Sequence, residues 1–445
     1  MILKPAFWPC FERVIEVLKG HGVGMQSISG DESLHLEFFD SSSLLNPAAA
    51  KKGGDDPIFA WFKRYLSAKE EGKDAINGTL GSLLLDNGEL ALNQVVMDSL
   101  RNQQGYDMAG YAPLRGIPSF RKLAIDLALG PHRDDIPAEM MSMTTPGGCG
   151  ALYASARNFA DPGSKVLLRD LHWSPYQTIL AENGLSSHTY PLWGSGLELA
   201  VALEELVSTQ SRVLSWLNDP AHNPTGLTLT SEERKQTLNC FIASARSNPS
   251  IGHTLLIDAA YHLYASEPFG WAQTLSQVEE WPHNLLILFA ISCSKSHTIY
   301  GLRTGALVCL HPSEEFLSRV EGVLLHTGRG TWSAPPRLPQ IALAEIHAQM
   351  KDEWEDQKDT LKALLKRRRV AFNSALEQVG VRPLPNHDGY FAFIECEDSV
   401  AVCESCAEEN VFLVPLSGGI RVGICAIPAS RMKRVASALA NALGE

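Results

Sequence analysis

The sequence predicts an α/β protein: a large domain with a mainly parallel central sheet covered by helices, plus a smaller α+β domain. Short β-rich runs alternate with helix-patterned segments between residues 165 and 310, which is typical of parallel sheets covered on both faces. A long helical pattern then leads to two further β-rich runs and a closing helix. The 445 residues are too many for one small core and suit this two-part organisation.

We predict four segments along the chain. Residues 1–55 form a leader and linker, with a short amphipathic helix in "FERVIEVLKG" and a Ser-, Pro- and Gly-rich loop after it. Residues 56–100 are the N-terminal part of the small domain, and 101–335 are the large cofactor-binding domain. Residues 336–445 hold a connecting helix and the C-terminal part of the small domain.

The predicted strands of the large domain are 165–170, 212–219, 253–261, 284–292 and 305–310. Helix-patterned segments such as "LELAVALEELVSTQ" and "SEERKQTLNCFIASARS" lie between them. In such sheets, ligands bind beyond the carboxyl ends of the strands. After residue 335, a helical pattern of about 40 residues precedes the strands "GYFAFIEC" and "GGIRVGICAI" and the helix "SRMKRVASALANALGE".

Composition excludes several classes of protein. The net charge of −12 argues against nucleic acid or an anionic membrane as a main partner. No stretch approaches the roughly 18 apolar residues of a membrane span, and the N-terminus lacks the apolar region of a signal peptide. Nine scattered cysteines suit a reducing compartment, so we expect the cytoplasm. "CESC" is one CxxC without a second pair and is read as part of a helix rather than a zinc site.

Polar residues follow the predicted strands in order. Gly147 and Gly148 stand before an Ala-rich helix, where backbone N–H groups bind anions, although a glycine pair is also common in plain turns. Asn223 lies in "NDPAHNPTG" between two prolines, which alone indicates a rigid turn. Asp258 ends an apolar strand and needs either a cationic partner or a capping role, and Tyr261 follows three residues later.

Lys295 follows the apolar run "NLLILFAI", where a lysine is costly to desolvate unless it has a function. The alternative is an exposed loop lysine. Ser292 and Ser294 are candidate phosphate ligands, and Arg303 is a candidate for a forked contact with the same group.

One ligand, pyridoxal 5′-phosphate, accounts for all of these residues together. Lys295 would form a Schiff base with its aldehyde, and Asp258 would keep its ring nitrogen protonated. Asn223 and Tyr261 would bind the phenolic oxygen. The glycine loop, Ser292 and Arg303 would hold the phosphate.

From about residue 56 to the end, the chain resembles the fold-type I, class I aminotransferases of the aspartate/aromatic group. The matching motifs, in order, are "DPIFAWFKRYL", "YAPLRGIPSFRKLA", "TPGGCGAL", "AHNPTG", "IDAAY", "SCSKSHTIYGLRTGA" and "GGIRVGICAI". The resemblance implies a homodimer with shared active sites, acting on an amino acid and a 2-oxo acid.

The resemblance also implies roles for further residues. Those assigned to the cofactor are Gly147, Gly148 and Cys149 in the phosphate loop, Trp173 and Ala260 on the two faces of the ring, and Tyr111 on the phosphate of the neighbouring subunit. Arg421 would fork onto the substrate α-carboxylate with help from Asn223. The other residues assigned to the substrate are Trp173, Gly81 at the entrance and Phe391 in the small-domain wall.

Arg329 bears on substrate choice. Its segment "GRGTWSAPP" resembles the family segment whose arginine crosses the dimer to the distal carboxylate of a dicarboxylic substrate. The alternative is an arginine on a solvated loop. The chain departs from the family at Cys149, where a hydroxyl residue is usual, in "SHTIYGL", and in its long leader.

We therefore expect an aminotransferase for dicarboxylic or aromatic L-amino acids, with Lys295, Asp258 and Tyr261 as the catalytic residues. The alternative on the same fold is a lyase or synthase of biosynthetic type. A non-catalytic, nucleic-acid-binding regulator is disfavoured because the leader is short and not basic.

Overall fold

A computed structural model describes residues 44–47, 49–53, 57–194 and 196–444. The chain divides into two units, Met1–Asp55 and Asp56–Glu445. In the described part of the first unit, Ala49–Lys51 form a 3₁₀ turn. The predicted amphipathic leader helix lies outside the described residues.

The second unit contains the helices and strands that position the site. Its helices are α1 (Pro57–Glu70), α2 (Gln94–Asn102), α3 (Gly105–Ala109), α4 (Pro118–Leu129), α5 (Gly147–Phe159), α6 (Pro175–Glu182), α7 (Leu197–Val207), α8 (Ser231–Ser247), α9 (Gly270–Leu275), α10 (Cys293–Ser296), α11 (Glu314–Thr331), α12 (Leu338–Gln349), α13 (Lys351–Gln378), α14 (Ser399–Glu408) and α15 (Met432–Leu443). Its strands are β1 (Ile76–Asn77), β2 (Glu139–Pro146), β3 (Lys165–Arg169), β4 (Ser186–Tyr190), β5 (Arg212–Asn218), β6 (Gly252–Asp258), β7 (Leu285–Ser292), β8 (Thr304–His311), β9 (Ala392–Glu395), β10 (Val411–Phe412), β11 (Val414–Leu416) and β12 (Gly419–Val422).

The central sheet has the strand order β2-β8-β7-β6-β5-β3-β4. Strands β3 to β7 run parallel, whereas β8 is antiparallel to β7 and β2 is antiparallel to β8. The predicted mainly parallel sheet is therefore confirmed. The sequence reading missed the two edge strands, because "EMMSMTTP" and "SSHTY" lack the apolar runs of the central strands.

Both faces of this sheet are buried. All eight positions of β7 are buried. Leu285, Ile287 and Phe289 pack into the core on one face, while Leu286 and Leu288 pack into the core on the other. Because side chains alternate along a strand, a continuous apolar run requires cover on both sides.

A second group of strands lies in the terminal parts of the unit. Strands β11, β12 and β9 form an antiparallel sheet, and β1 pairs with β10 in parallel. Their core includes residues from α1, α13, α14 and α15. The pairing of Ile76 with Val411 brings the segment before residue 100 beside the C-terminal strands. The predicted domain boundaries at 56, 101 and 336 stay predictions.

The predicted helix of about 40 residues is wrong in one respect: the structure has two helices, α12 and α13, which break at Met350 (φ −136°, ψ 34°). The break carries no proline or glycine. The indole of Trp354, the fourth residue of α13, is buried against the imidazole of His347 near the end of α12. Tertiary packing accompanies a break that helical periodicity does not reveal.

Two smaller features complete the fold. Cys403 and Cys406 of "CESC" are buried free thiols on α14, as the helical reading expects. The predicted strand "GGIRVGICAI" ends at Val422 and continues as a 3₁₀ turn. None of the helices in the described ranges is long and apolar enough to cross a bilayer.

Candidate active site

A cavity lies at the carboxyl ends of the parallel strands. The strand register sets Asn218 of β5 opposite Asp258 of β6, and Asp258 opposite Ala290 of β7. The cavity is lined by Gly148, Cys149, Leu152, Trp173, Asn218, Asn223, Asp258, Ala260, Tyr261, Ser292, Ser294, Lys295 and Arg303. The fold therefore brings together most of the residues that the sequence singles out.

Lys295 lies in α10, the short helix directly after β7. Its Nζ is 5.4 Å from the centre of the Tyr261 ring and 5.9 Å from that of Tyr300. Desolvation by the surrounding protein lowers the pKa of Lys295. A lowered pKa leaves more of the amine in the neutral form that acts as nucleophile and base, and the desolvated position shows that Lys295 is not an exposed loop lysine.

Asp258 is a buried carboxylate at the end of β6. Its Oδ2 accepts a hydrogen bond of 2.6 Å from the Tyr176 hydroxyl, and its Oδ1 accepts one of 3.1 Å from the Ala260 amide. Burial raises the pKa of Asp258, and the two hydrogen bonds oppose that effect. The contact with Ala260 also satisfies the capping role that the sequence left open.

Asn218, Asn223 and Tyr261 line the same cavity. The Asn223 amide donates to Asn218 Oδ1 at 2.7 Å, and Asn218 Nδ2 donates to the Asp258 carbonyl at 2.8 Å. Burial raises the pKa of Tyr261, while the Asn223 side chain that faces its hydroxyl acts in the opposite direction. Oδ1 of Asn223 is buried and has no hydrogen-bond partner among the described residues.

The glycine loop and Arg303 form an anion-binding corner. Gly147 begins α5 with φ +72°, and a Cβ there would lie 2.8 Å from Arg303 Nη2, so glycine is required. Arg303 Nη1 donates to Ser294 Oγ at 3.1 Å and to the Tyr300 carbonyl at 3.0 Å. Cys149 Sγ is 3.9 Å from Nη2. A fixed guanidinium at the start of a 13-residue helix suits a phosphate.

A second cationic corner surrounds Arg421 on β12. This buried arginine donates from Nη2 to the Thr79 carbonyl at 2.7 Å, and its guanidinium lies 4.6 Å from the centre of the Phe391 ring. A Cβ at Gly81 would lie 3.1 Å from Phe391 Cζ and 3.9 Å from the Tyr261 hydroxyl. Gly81, Phe391 and Arg421 thus sit beside Tyr261, as their predicted substrate roles require.

Tyr111 and Arg329 do not line the cavity of their own chain. Tyr111 is 90% exposed. Arg329 is exposed in the last turn of α11, where Nη1 donates to Ser333 Oγ at 2.7 Å. The alternative reading placed Arg329 on a solvated loop; the residue is exposed, but it lies in the last turn of a helix. Their roles across a dimer stay predictions.

Two contributors escaped the sequence reading: Tyr176 donates to the Asp258 carboxylate, and Asn218 donates to the Asp258 carbonyl. Ser294, a candidate phosphate ligand from the sequence, accepts a hydrogen bond from Arg303. The available signals were weak: Tyr176 follows Trp173 by three residues, and Asn218 is the last residue of its strand.

The residues present fit pyridoxal phosphate. A glycine cradle and an arginine are placed for a phosphate, a buried carboxylate for a ring nitrogen and an amine for an aldehyde. The unsatisfied Asn223 Oδ1 indicates that a polar ligand completes the cavity, because buried polar atoms are rarely left without a partner.

Comparison with known proteins gives an independent result. Residues 74–439 match the family model described as aminotransferase class I and II. The cytoplasmic aspartate aminotransferase of Gallus gallus is 27% identical over 417 residues, which are 87% of this chain and 96% of that protein.

Solved structures agree on the fold. A crystal structure of an aminotransferase from Anaerococcus prevotii superposes with a TM-score of 0.86 at 29% identity, covering 90% of this chain and all of that one. The aromatic-amino-acid aminotransferase of Burkholderia pseudomallei, solved covalently bound to pyridoxal phosphate, gives a TM-score of 0.72 at 21% identity. The superposition covers 90% of this chain and 100% of that one, and at this identity it shows similarity of fold alone.

Proposed function

The chain belongs to the class I and II aminotransferase family and is a pyridoxal-phosphate-dependent aminotransferase; we propose that it moves the amino group of a dicarboxylic or aromatic L-amino acid to a 2-oxo acid in the cavity at Lys295. The observation that carries this proposal is the desolvated Lys295 amine in one cavity with the buried carboxylate of Asp258. No comparison favours the lyase or synthase alternative.

When bound, pyridoxal phosphate supplies an electron sink for the electron pair released at the substrate Cα. Asp258 is positioned to hold a proton on the ring nitrogen, because its carboxylate keeps unused lone pairs after accepting from Tyr176 and Ala260. Asn223 and Tyr261 are proposed to bind the phenolic oxygen, and Trp173 and Ala260 to flank the ring. Gly147, Gly148, Cys149, Ser292 and Arg303 are proposed to hold the phosphate.

Lys295 is proposed to anchor the cofactor in the resting enzyme and then to move the proton. With substrate in the cavity, the neutral Nζ would take the proton from the substrate Cα as general base and would later give it up as general acid. The Tyr261 and Tyr300 rings lie beside Nζ, and desolvation there lowers the pKa of Lys295, which favours the neutral amine.

Arg421 is proposed to bind the substrate α-carboxylate. Its guanidinium is held by the Thr79 carbonyl and lies over the Phe391 ring, which orients the fork before the substrate arrives. Gly81 leaves space at the entrance, because a side chain there would press on Phe391.

A homodimer with shared sites is proposed to complete the cavity. The near-full exposure of Tyr111 supports this, because a large aromatic side chain on that loop is available to a second chain. Arg329 is exposed as well and is available to the distal carboxylate of a dicarboxylic substrate.

We place the enzyme in the cytoplasm. The cysteines of the described residues are free thiols, which suits a reducing compartment. Fractionation of source cells with an antibody to the chain tests this location, and recovery in an organelle fraction would contradict it.

A coupled assay tests the proposed function. Purified holoenzyme receives 2-oxoglutarate with aspartate, tyrosine or phenylalanine as donor, and the 2-oxo acid formed from that donor is measured. We expect turnover with at least one dicarboxylic or aromatic donor. Release of ammonia without transfer to the acceptor would contradict the proposal.

A further inference from the structure

Tyr176 has a fixed place behind the cavity. It is the second residue of α6 and only 1% exposed. Its ring makes edge contacts with Trp173 at 5.6 Å and with Trp216 at 5.1 Å. Trp216 is itself held by a hydrogen bond from its indole to Ser155 Oγ. This packing fixes the ring, and the hydroxyl donates to Asp258 Oδ2.

The buried Asp258 carboxylate has few hydrogen-bond donors, and the Tyr176 hydroxyl is one of them. Among the described residues, no arginine or lysine forms an ion pair with this buried carboxylate, and Tyr176 is the one side chain that donates to it. The other donor is the Ala260 amide. A buried charge needs such donors, because it has lost its hydration.

We infer that Tyr176 is a positioning residue that keeps the Asp258 carboxylate ionised and oriented, and that it thereby controls how firmly the cofactor ring nitrogen holds its proton. This inference rests on the proposed role of Asp258. Tyr176 does not line the cavity, so it acts through Asp258 and not by contact with the cofactor.

The choice of tyrosine has a chemical consequence. Burial and the neighbouring Asp258 charge raise the pKa of Tyr176 well above its usual value, so the hydroxyl keeps its proton throughout the physiological pH range. It donates without adding a positive charge. The other titratable groups that face Asp258 are Lys295, Cys149 and Tyr261.

Tyr176→Phe in the holoenzyme tests the inference, because it removes the hydroxyl and keeps the ring. Without the donor, Asp258 retains a proton more readily and the ring nitrogen loses its anionic partner. We expect cofactor affinity to fall about tenfold, the loss of one hydrogen bond to a charged group. We also expect the pH midpoint of the cofactor's visible absorption band to rise, because a less positive ring withdraws fewer electrons from the lysine-bound nitrogen.

Tyr190→Phe is the matched control. Tyr190 is another buried tyrosine, at the end of strand β4, and forms no hydrogen bond with Asp258. We expect that variant to match the wild type in both readouts. In an Asp258→Asn background, Tyr176→Phe should add no further shift of the band. A full additional shift there would overturn the inference.

The outcomes separate this inference from the proposed function. A wild-type protein that forms no visible band with pyridoxal phosphate would contradict the proposed function itself. Unchanged affinity and band midpoint in Tyr176→Phe, with both altered in Asp258→Asn, would overturn only the role of Tyr176. If Tyr176→Phe does not fold, 3-fluorotyrosine at position 176 is a stronger donor of nearly the same shape. It should lower the band midpoint, and an unmoved midpoint would overturn the inference.

Discussion

At the residue scale, the Lys295 amine faces the rings of Tyr261 and Tyr300, and desolvation lowers its pKa. No carboxylate forms an ion pair with Lys295 among the described residues. A structural lysine in such a place would ordinarily be paired, since an unpaired buried charge is costly. The arrangement therefore suits a group that reacts in its neutral form.

Lys295→Ala is expected to bind pyridoxal phosphate through the glycine loop and Arg303 but to lose about 10² to 10⁴ in kcat, the usual contribution of a general acid–base group. Single-turnover kinetics with the best amino donor measure the loss. The control is Lys362→Ala, a partly buried lysine whose Nζ donates to the Ala265 carbonyl away from the cavity. Wild-type turnover by Lys295→Ala would contradict the assignment.

Arg421→Lys keeps the positive charge but removes the fork. We expect KM for the amino acid to rise at least tenfold, because a lysine cannot make the paired contact with a carboxylate. Steady-state kinetics with amino acids and with the corresponding amines measure the effect. The discrimination between the two should shrink in the variant, and unchanged discrimination would show that another group binds the carboxylate.

The sequence identified the residues that touch the proposed ligand better than those that hold them. Asp258 and Lys295 stand at strand ends after apolar runs, so pattern and chemistry point to them. Tyr176 is 82 positions from Asp258, and their hydrogen bond depends on how α6 packs on the sheet. Spacing along the chain does not predict that contact. It does not predict the hydrogen bond from Arg303 to Ser294 either.

At the element scale, the break between α12 and α13 is held by a cluster of His297, His347 and Trp354. The His297 and His347 Nε2 atoms are 2.9 Å apart, and the Trp354 ring stacks on His297 at 4.8 Å. His297 lies in the "SHTIYG" stretch whose unusual sequence stood out. The cluster joins the end of α10, which carries Lys295, to the connecting helices.

This cluster predicts a loss of stability in acid. Burial and the nearby Lys351 and Lys358 lower the pKa of His347 to about 4, from an ordinary value of 6.5. The neutral form stabilises the fold above pH 6.5, and this contribution is lost as pH falls toward 4. Between pH 7 and pH 5 the loss is about 2 kcal/mol. Urea unfolding at the two pH values measures it.

His347→Gln should show a smaller difference in unfolding free energy between pH 7 and pH 5 than the wild type, although it starts less stable. His387→Gln is the control, because that side chain is exposed and makes no contact with the cluster. Equal losses in the wild type and His347→Gln would contradict the role of His347.

The central strands and the α8 helix were predictable because continuous apolar runs and the "SEER" helix start are strong local signals. The structure bears this out with a capping box at Thr230 and Glu233. The edge strand β4 is short and polar, and its pairing with β3 comes from the neighbouring strand. The break at Met350 was hidden because the side chains packed beside it include His297, which is far away in the sequence.

At the scale of the whole molecule, the cavity lies at strand ends of the central sheet, and Arg421 of the terminal sheet lies next to it, beside Phe391. Tyr111 and Arg329 are exposed and do not line the cavity. Parallel-sheet topology made the cluster of residues at the strand ends predictable from sequence. The roles of Tyr111 and Arg329 depend on assembly, which a single chain's pattern does not encode.

Mixed dimers test whether sites are shared. Arg329→Ala and Lys295→Ala chains are each expected to be inactive with aspartate, but co-expression should restore about a quarter of wild-type activity, since half the dimers carry one complete site. Lys295→Ala with Arg421→Ala is the control. Both of those residues belong to the same chain's cavity, so no activity should return. Equal behaviour of the two mixtures would contradict a site completed by Arg329 of a second chain.

The half-reaction tests the central claim, amino transfer at Lys295, most directly. Holoenzyme is titrated with single amino acids without an acceptor, and then with 2-oxoglutarate, while the cofactor's visible band is followed. We predict that one amino donor abolishes the band with release of one 2-oxo acid per chain, and that 2-oxoglutarate restores it. Continued release of 2-oxo acid and ammonia without an acceptor, or a band that no amino acid changes, would contradict the claim.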